Sequence, residues 1–140
     1  MILREENGNL FEVDEKYYLA HCVSSDVEMG QGIALDFNKN FKLKNKLFSY
    51  DEEIRECPTC IKVDRVFNLI TKAKYWNKPT YESLRGSLEV MRDTIIKDNI
   101  KYLAMPKIGC GLDRLQWGLV REIIKDIFKD IEIEILVMHL

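Results

Sequence analysis

No stretch of this sequence stays apolar for the ~18 residues that a membrane-spanning helix requires, so no span and no membrane partner are expected. The opening residues, Met1-Ile2-Leu3-Arg4-Glu5-Glu6-Asn7, lack the long apolar core of a secretion signal, and the chain is expected to stay inside the cell, in the cytoplasm. Basic excess is missing too. The 21 Lys and Arg stand against 23 Asp and Glu, a formal charge of −2, which argues against binding nucleic acid through a broad basic surface. Only two histidines occur, and no second Cys-x-x-C follows the first, so no metal centre is expected. Linkers, internal repeats and low-complexity segments are absent, and one domain spanning residues 1–140 is expected.

What is present is ordinary for a soluble globular chain: 46% hydrophobic and 31% charged residues, at a length that can bury a real core. The four cysteines, Cys22, Cys57, Cys60 and Cys110, are expected as thiols in a reducing compartment. Cys57-Pro58-Thr59-Cys60 has the spacing of half a zinc site or a redox pair. Zinc would lack its remaining ligands. A thioredoxin-like motif would open a helix, whereas the following Ile61-Lys62-Val63 reads as strand. The segment is therefore read as a turn with two incidental cysteines.

Strand and helix patterns alternate along the chain, which points to an α/β layered sheet. Ile2–Arg4, Lys16–Val23, Cys60–Val63, Arg65–Thr71, Tyr102–Met105 and Ile131–Met138 read as strands. Gly32–Phe41 reads as a helix with Ile33, Phe37 and Phe41 on one face. Leu43–Glu56 is charged and less regular, with room for a second short helix. Pro79-Thr80 opens a long helix capped by Thr80, with Tyr81, Leu84, Leu88, Met91 and Ile95 inward. Leu115–Phe128 is expected as a helix burying Leu119, Val120, Ile123 and Ile127.

Two strand–loop–helix units carry a Gly-x-Gly: Tyr18–Val23 before Gly30-Gln31-Gly32, and Tyr102–Met105 before Gly109-Cys110-Gly111. Such loops let a backbone approach a ligand closely, and the N–H groups of a following helix face it with partial positive charge. Two units suggest a ligand with two phosphates, held beyond the carboxyl ends of the strands. Polar groups near them each have two readings. Asp113 stands where an anion would bind, yet Asp113 with Gln116 has capping-box spacing and would serve as a helix cap. Lys72 follows a strand and could hold phosphate or attack a carbonyl-like carbon, or could be one surface lysine among many. His21, in an apolar strand, fits a core histidine better than a general base. Ser24 and Ser25 have no His–acid partner for a hydrolase triad. Tyr75 and Trp76 could stack on a base or ribose or simply pack in their loop, and Trp117 reads as core.

Four blocks, in order, resemble a macrodomain of the terminal ADP-ribose protein glycohydrolase class. They are Leu19-Ala20-His21-Cys22-Val23-Ser24-Ser25-Asp26-Val27-Glu28-Met29-Gly30-Gln31-Gly32-Ile33-Ala34, Leu69-Ile70-Thr71-Lys72, Lys78-Pro79-Thr80-Tyr81-Glu82, and Met105-Pro106-Lys107-Ile108-Gly109-Cys110-Gly111-Leu112-Asp113-Arg114-Leu115-Gln116-Trp117. The resemblance runs from the Gly8-Asn9-Leu10-Phe11 turn to the last strand. It implies a three-layer α/β/α sandwich with a mixed sheet of about six strands. It implies adenine near Asn9, Leu10 and Phe11, with the pyrophosphate between the Gly30–Gly32 and Gly109–Gly111 loops. The distal ribose would then reach Ser24, Lys72 and Asp113. By the same resemblance Lys72 and Asp113 are the catalytic nucleophile and acid/base. The ligand set is completed by His21, Gln31, Ile33, Thr71, Pro106, Ile108, Cys110, Leu112 and Leu140. The family turn usually reads Gly-Asp-Leu-Phe; Asn9 keeps an acceptor but loses the charge, which implies weaker adenine discrimination. The Cys57–Cys60 region is shorter than the usual hairpin, and Val137-Met138-His139-Leu140 keeps the pattern loosely.

The resemblance implies hydrolysis of ester-linked mono-ADP-ribose, on glutamate or aspartate of proteins and in O-acetyl-ADP-ribose. The alternatives are a non-catalytic ADP-ribose reader, which needs neither Lys72 nor Asp113, and a hydrolase acting on ADP-ribosylated nucleic acid. The expected partners are ADP-ribose and ADP-ribosylated proteins, with no cofactor, and the chain is expected as a monomer.

Overall fold

The computed structural model describes residues 1–139, and the predicted ligand residue Leu140 lies outside them. Its framework is one six-stranded sheet. The strands are β1 (Ile2–Asn7), β2 (Tyr18–Ser24), β3 (Thr59–Val63), β4 (Val66–Lys72), β5 (Tyr102–Met105) and β6 (Glu134–His139). Their spatial order is β1-β6-β5-β2-β4-β3. Neighbours run parallel throughout, except that β3 lies antiparallel to β4. Helices α4 (Tyr81–Lys97) and α5 (Trp117–Phe128) cover one face of the sheet. Helices α1 (Gly32–Phe41), α2 (Leu43–Leu47) and α3 (Asp51–Ile54) cover the other. This is the three-layer α/β/α sandwich with a mixed sheet that the resemblance implied.

Burial explains the central strands. Val66 through Thr71 are all buried, as expected of a strand covered on both faces. The edge strand β1 runs beyond the predicted Ile2–Arg4. Glu5, Glu6 and Asn7 have weak strand preference, but parallel pairing carries them on to Asn7 opposite His139. The final strand starts later than predicted, at Glu134. Residues 43–56 form α2, a 3-10 turn at Phe48–Tyr50, and α3 in place of one helix.

Helix α4 begins as its sequence dictates. The Ser83 amide donates to Thr80 Oγ1 at 2.9 Å, the Thr80 amide donates to Ser83 Oγ at 3.0 Å, and Leu84, Leu88, Met91 and Ile95 face inward. Helix α5 departs from expectation. It starts at Trp117, and it buries Val120, Ile124, Ile127 and Phe128, leaving Leu119 50% exposed and Ile123 half-buried. Apolar residues occupy two adjacent stripes of this helix, so periodicity fits either rotation. Burial of Val120, Ile124 and Phe128 against the sheet sets the observed one, and Glu5 on β1 fits it, accepting from Trp117 Nε1 at 2.8 Å and from Arg121 at 3.1 Å.

His21 sits at the centre of the β2 ladder with no exposed surface, and its ring stacks on Phe37 of α1 at 3.9 Å. Its Nε2 lies 2.7 Å from Asn68 Oδ1. The Asn68 amide nitrogen donates to Ile61 and Val66 carbonyls, so its oxygen is the acceptor and His21 Nε2 carries the proton. Nδ1 is then an unpartnered lone pair. Burial pushes the imidazole pKa down to about 4, against the opposing hydrogen bond to Asn68. The histidine is neutral in the core, which matches the core reading, and it offers no surface to a ligand.

A pH effect on stability follows. The unfolded chain protonates His21 near pH 6.5, whereas the folded chain resists until about pH 4. This contribution is complete above pH 6.5 and is lost as pH falls, at roughly 1 kcal/mol per pH unit. Denaturant melts at pH 7, 6.5, 6 and 5.5 should show that slope, above most of the range where carboxylates titrate. His21→Leu should remove the slope, whatever its absolute stability.

Candidate active site

Both glycine loops lie at the carboxyl ends of parallel strands, where α/β sheets present ligand sites. The first follows β2 and runs into α1, which begins at Gly32 with φ +60°. Gln31 occupies the cap position and makes no side-chain capping bond, so the first-turn N–H groups are not filled by a side chain. The second loop follows β5. Gly109 adopts φ +73°, a conformation that disfavours side chains, while Gly111 has open space where a Cβ would be. The loops approach one another closely: a Cβ on Gly32 would stand 3.4 Å from Leu112 Cδ1.

The second loop differs from its sequence reading. The helix begins at Trp117, not at the predicted Leu115. Instead, Leu115 N–H donates to the Gly109 carbonyl at 2.8 Å and Arg114 N–H donates to the Gly111 carbonyl at 3.1 Å. Arg114 has φ +64°, and the helix cap falls at Gln116. Asp113 is therefore not the cap of α5. Its carboxylate Oδ1 is ion-paired to Lys72 Nζ at 2.5 Å, and each side chain is only 13% exposed. The geometry answers both open questions at once: Lys72 is not a free surface lysine, and Asp113 is a partner for an amine.

The surrounding contacts hold this pair in place. Lys72 ends β4 and lies beside Ser24 in the β2–β4 ladder, just after a register shift between Val23 and Ser24. Lys78 Nζ donates to the Leu112 carbonyl at 2.7 Å, and the Gln116 amide donates to Tyr81 Oη at 3.0 Å. Asp26 accepts from Ser24 Oγ and, at 3.1 Å, from the Tyr75 amide. The bracing roles of Asp26, Lys78 and Tyr81 were not read from the sequence. The one local signal was the Ser-x-Asp spacing at Ser24 and Asp26, which permits a side-chain bond across a turn.

The other predicted site residues divide by exposure. Gly30, Gln31, Gly32, Gly111 and Leu112 are exposed, and Ile33, Pro106, Gly109 and Cys110 are half-buried. Leu10, His21, Thr71 and Ile108 are core residues, and the Thr71 hydroxyl has no hydrogen-bond partner. Asn9 is exposed and caps the turn at Leu10–Glu12 by accepting from the Phe11 amide at 2.9 Å. Phe11 packs edge-on against Phe37 at 4.9 Å, anchoring that turn to α1. Tyr75 and Trp76 stand 50% and 64% exposed, in contact with each other. Burial, with the Asp113 charge, pushes the Cys22 thiol up, and burial also raises Cys110. Both stay protonated, so neither supplies a thiolate nucleophile beside Lys72. Among the described residues no group of three or more His, Cys, Asp or Glu side chains is placed to hold a metal. Among the described residues no helix is long and apolar enough to cross a membrane.

No protein-family model matches the sequence. Over 134 residues it is 42% identical to the Bos taurus protein named ADP-ribose glycohydrolase OARD1, covering 95% of this chain and 88% of that one. The chain belongs to the OARD1 family of macrodomains. Its fold aligns with the macrodomain of Thermus aquaticus DarG at a TM-score of 0.84, with 23% identity and 99% of each chain covered. It also aligns with Thermosipho africanus DarTG in complex with ADP-ribose at a TM-score of 0.75, with 18% identity, 98% of this chain and 42% of that one.

The two glycines of this macrodomain's second loop should behave differently. Gly109→Ala should lower stability by ~1–2 kcal/mol, because alanine is strained at a left-handed φ. Gly111→Ala should stay within about 0.5 kcal/mol of the parent, since its Cβ meets nothing. Paired thermal melts check this.

Proposed function

We propose that this protein hydrolyses ester-linked mono-ADP-ribose, on glutamate and aspartate side chains of proteins and in O-acetyl-ADP-ribose. One observation carries the reading: an amine and a carboxylate 2.5 Å apart stand at the strand ends beside two glycine loops. The 42% identity to a protein named ADP-ribose glycohydrolase supports it, as does a structural relative solved with ADP-ribose.

In this reading the pyrophosphate lies between the Gly30–Gly32 and Gly109–Gly111 loops, against backbone N–H groups and the start of α1. Adenine lies at the Asn9–Phe11 turn. The Asn9 oxygen already serves the Phe11 amide, and its other terminal group is a donor, so it meets the adenine amino group less well than a carboxylate would. The distal ribose reaches Ser24, Lys72 and Asp113. Asp113 beside an anionic ligand is acceptable because Lys72 neutralises it.

Asp113 takes a proton from Lys72, leaving an amine with a free electron pair. The Lys72 nitrogen bonds to the anomeric carbon of the distal ribose, and the bond from that carbon to the ester oxygen breaks. The carboxylate leaves with the electron pair. Asp113 passes the proton it took to the departing carboxylate and is charged again. Water then attacks the anomeric carbon with Asp113 accepting its proton, the carbon–nitrogen bond breaks, and Lys72 takes that proton back from Asp113 as ADP-ribose departs. A carboxylate is a good leaving group and needs little acid assistance, so this two-residue device suits esters. A serine ether or a glycosylated base leaves less readily.

Lys72→Ala should keep ADP-ribose binding while losing about a hundredfold or more in ester hydrolysis. Asp113→Asn should stay folded and lose activity to a similar degree, since an amide does not exchange a proton near neutral pH. Asp113→Ala should slow attack, because Lys72 must then lose its proton to solvent, and block hydrolysis of the adduct, so that ADP-ribose accumulates on Lys72 and is seen by mass spectrometry. Gly111→Glu should fold normally and lose ADP-ribose binding in calorimetry, through bulk and repulsion of phosphate. Release assays on ester-, serine- and thymidine-linked ADP-ribose test the linkage. Normal turnover by Lys72→Ala overturns the mechanism. A wild type that binds ADP-ribose and cleaves no linkage is a reader.

A further inference from the structure

Asp26 belongs to neither glycine loop and has no place in the reaction just described, yet more bonds converge on it than on any neighbour. Its Oδ1 accepts from Ser24 Oγ and from the Glu28 amide at 3.3 Å, and its Oδ2 accepts from the Tyr75 amide at 3.1 Å. Its own amide donates to the Ala73 carbonyl at 3.2 Å, and the adjacent Ser25 amide donates to the Lys72 carbonyl at 2.9 Å. Asp26 thus fastens the segment after β2 to the segment after β4, directly beyond the strand ends at Ser24 and Lys72. Burial alone would raise its carboxyl, but the hydrogen bonds from Ser24, Tyr75 and Glu28 outweigh burial and hold it ionised. The next residue, Val27, is buried at φ +55°, a conformation that β-branched side chains rarely accept. The turn around Asp26 is held against a local preference.

The consequence falls on Ser24. This serine is only 2% exposed and lies beside Lys72, where the register shift re-aims it. A hydroxyl has one proton and two acceptor positions. Asp26 takes the proton. What remains on Ser24 is an acceptor, suited to receive a proton from a ribose hydroxyl or from the lysine nitrogen.

We propose that Asp26 is a positioning residue of the active site, which orients the Ser24 hydroxyl as an acceptor for the distal ribose and holds Ser24 and Lys72 in register. The proposal rests on the reading that places the distal ribose at Ser24 and Lys72.

The test is a double-mutant cycle of Ser24→Ala and Asp26→Ala, with Asp26→Asn as an isosteric variant should Asp26→Ala fail to fold. Two ligands are titrated by calorimetry: ADP-ribose, and ADP, which lacks the distal ribose. Ester turnover is measured on the same preparations. ADP affinity should be unchanged in every variant. ADP-ribose affinity should fall about threefold to tenfold in each single variant, the worth of one hydrogen bond. The double variant should be no worse than the weaker single one, in affinity and in kcat. Asp26→Asn should fall in between, because it retains one acceptor oxygen. Losses that multiply, or a matching loss for ADP, would mean a merely structural role and overturn the proposal, as would wild-type ADP-ribose affinity in a folded Asp26→Ala. The binding cycle does not depend on turnover. A wild type that cleaves no ester overturns the hydrolase reading, while a non-additive binding cycle still upholds Asp26.

Discussion

Parallel pairing of β2 with β4 and of β2 with β5 is the constraint on which the rest of this molecule depends. Parallel strands end at the same edge of a sheet, so everything that follows them in the chain is delivered to one place. Ser24, Lys72 and the Gly109–Leu115 turn meet there because their strands point the same way. Cover from α4 and α5 on one face and α1 to α3 on the other keeps those strands buried. Among the described residues β3 is the only antiparallel strand; it lies at the far edge of the sheet and carries none of the site's side chains.

Charge at this edge is arranged by pairing rather than by excess. The whole chain carries a formal −2, so attraction of an anionic ligand cannot come from net charge. In the proposed function it comes from oriented backbone N–H groups in loops that glycine allows to be approached closely. Lys72 and Asp113 cancel one another at 2.5 Å, which gives the amine a proton acceptor within reach and, in the proposed function, would let a carboxylate stand near phosphate. The same pair closes the sheet edge against the second loop, with Lys78 and Tyr81 as further braces. Structure and chemistry share these contacts.

Legibility in the sequence tracked the range of the interaction. Helix α4 could be read because Thr80 and Ser83 cap it within one turn and its apolar residues follow one period. Helix α5 could be read as a helix ending at Phe128 that buries Val120 and Ile127, but not in its exact rotation, since two apolar stripes compete and packing of Ile124 and Phe128 against the sheet decides between them. Asp113 with Gln116 has the spacing of a capping box, but the left-handed Arg114 shifts the helix start to Trp117 and releases Asp113 for Lys72. His21 was legible as a core residue from its apolar strand, but its tautomer depends on Asn68 across the ladder.

The sequence by itself determined the alternation of strands and helices, the glycines where the backbone must be approached, the cap of α4, and the small set of polar residues able to do chemistry. Each of these is a matter of neighbours within a few positions, which periodicity and residue type record. The tertiary structure alone decided which of those polar groups meet. Lys72 and Asp113 are 41 positions apart, and Asp26 and Tyr75 are 49 apart. Their encounter depends on strand order and register, which come from burying the whole sheet between its two helical layers, a collective result that no local stretch of sequence contains.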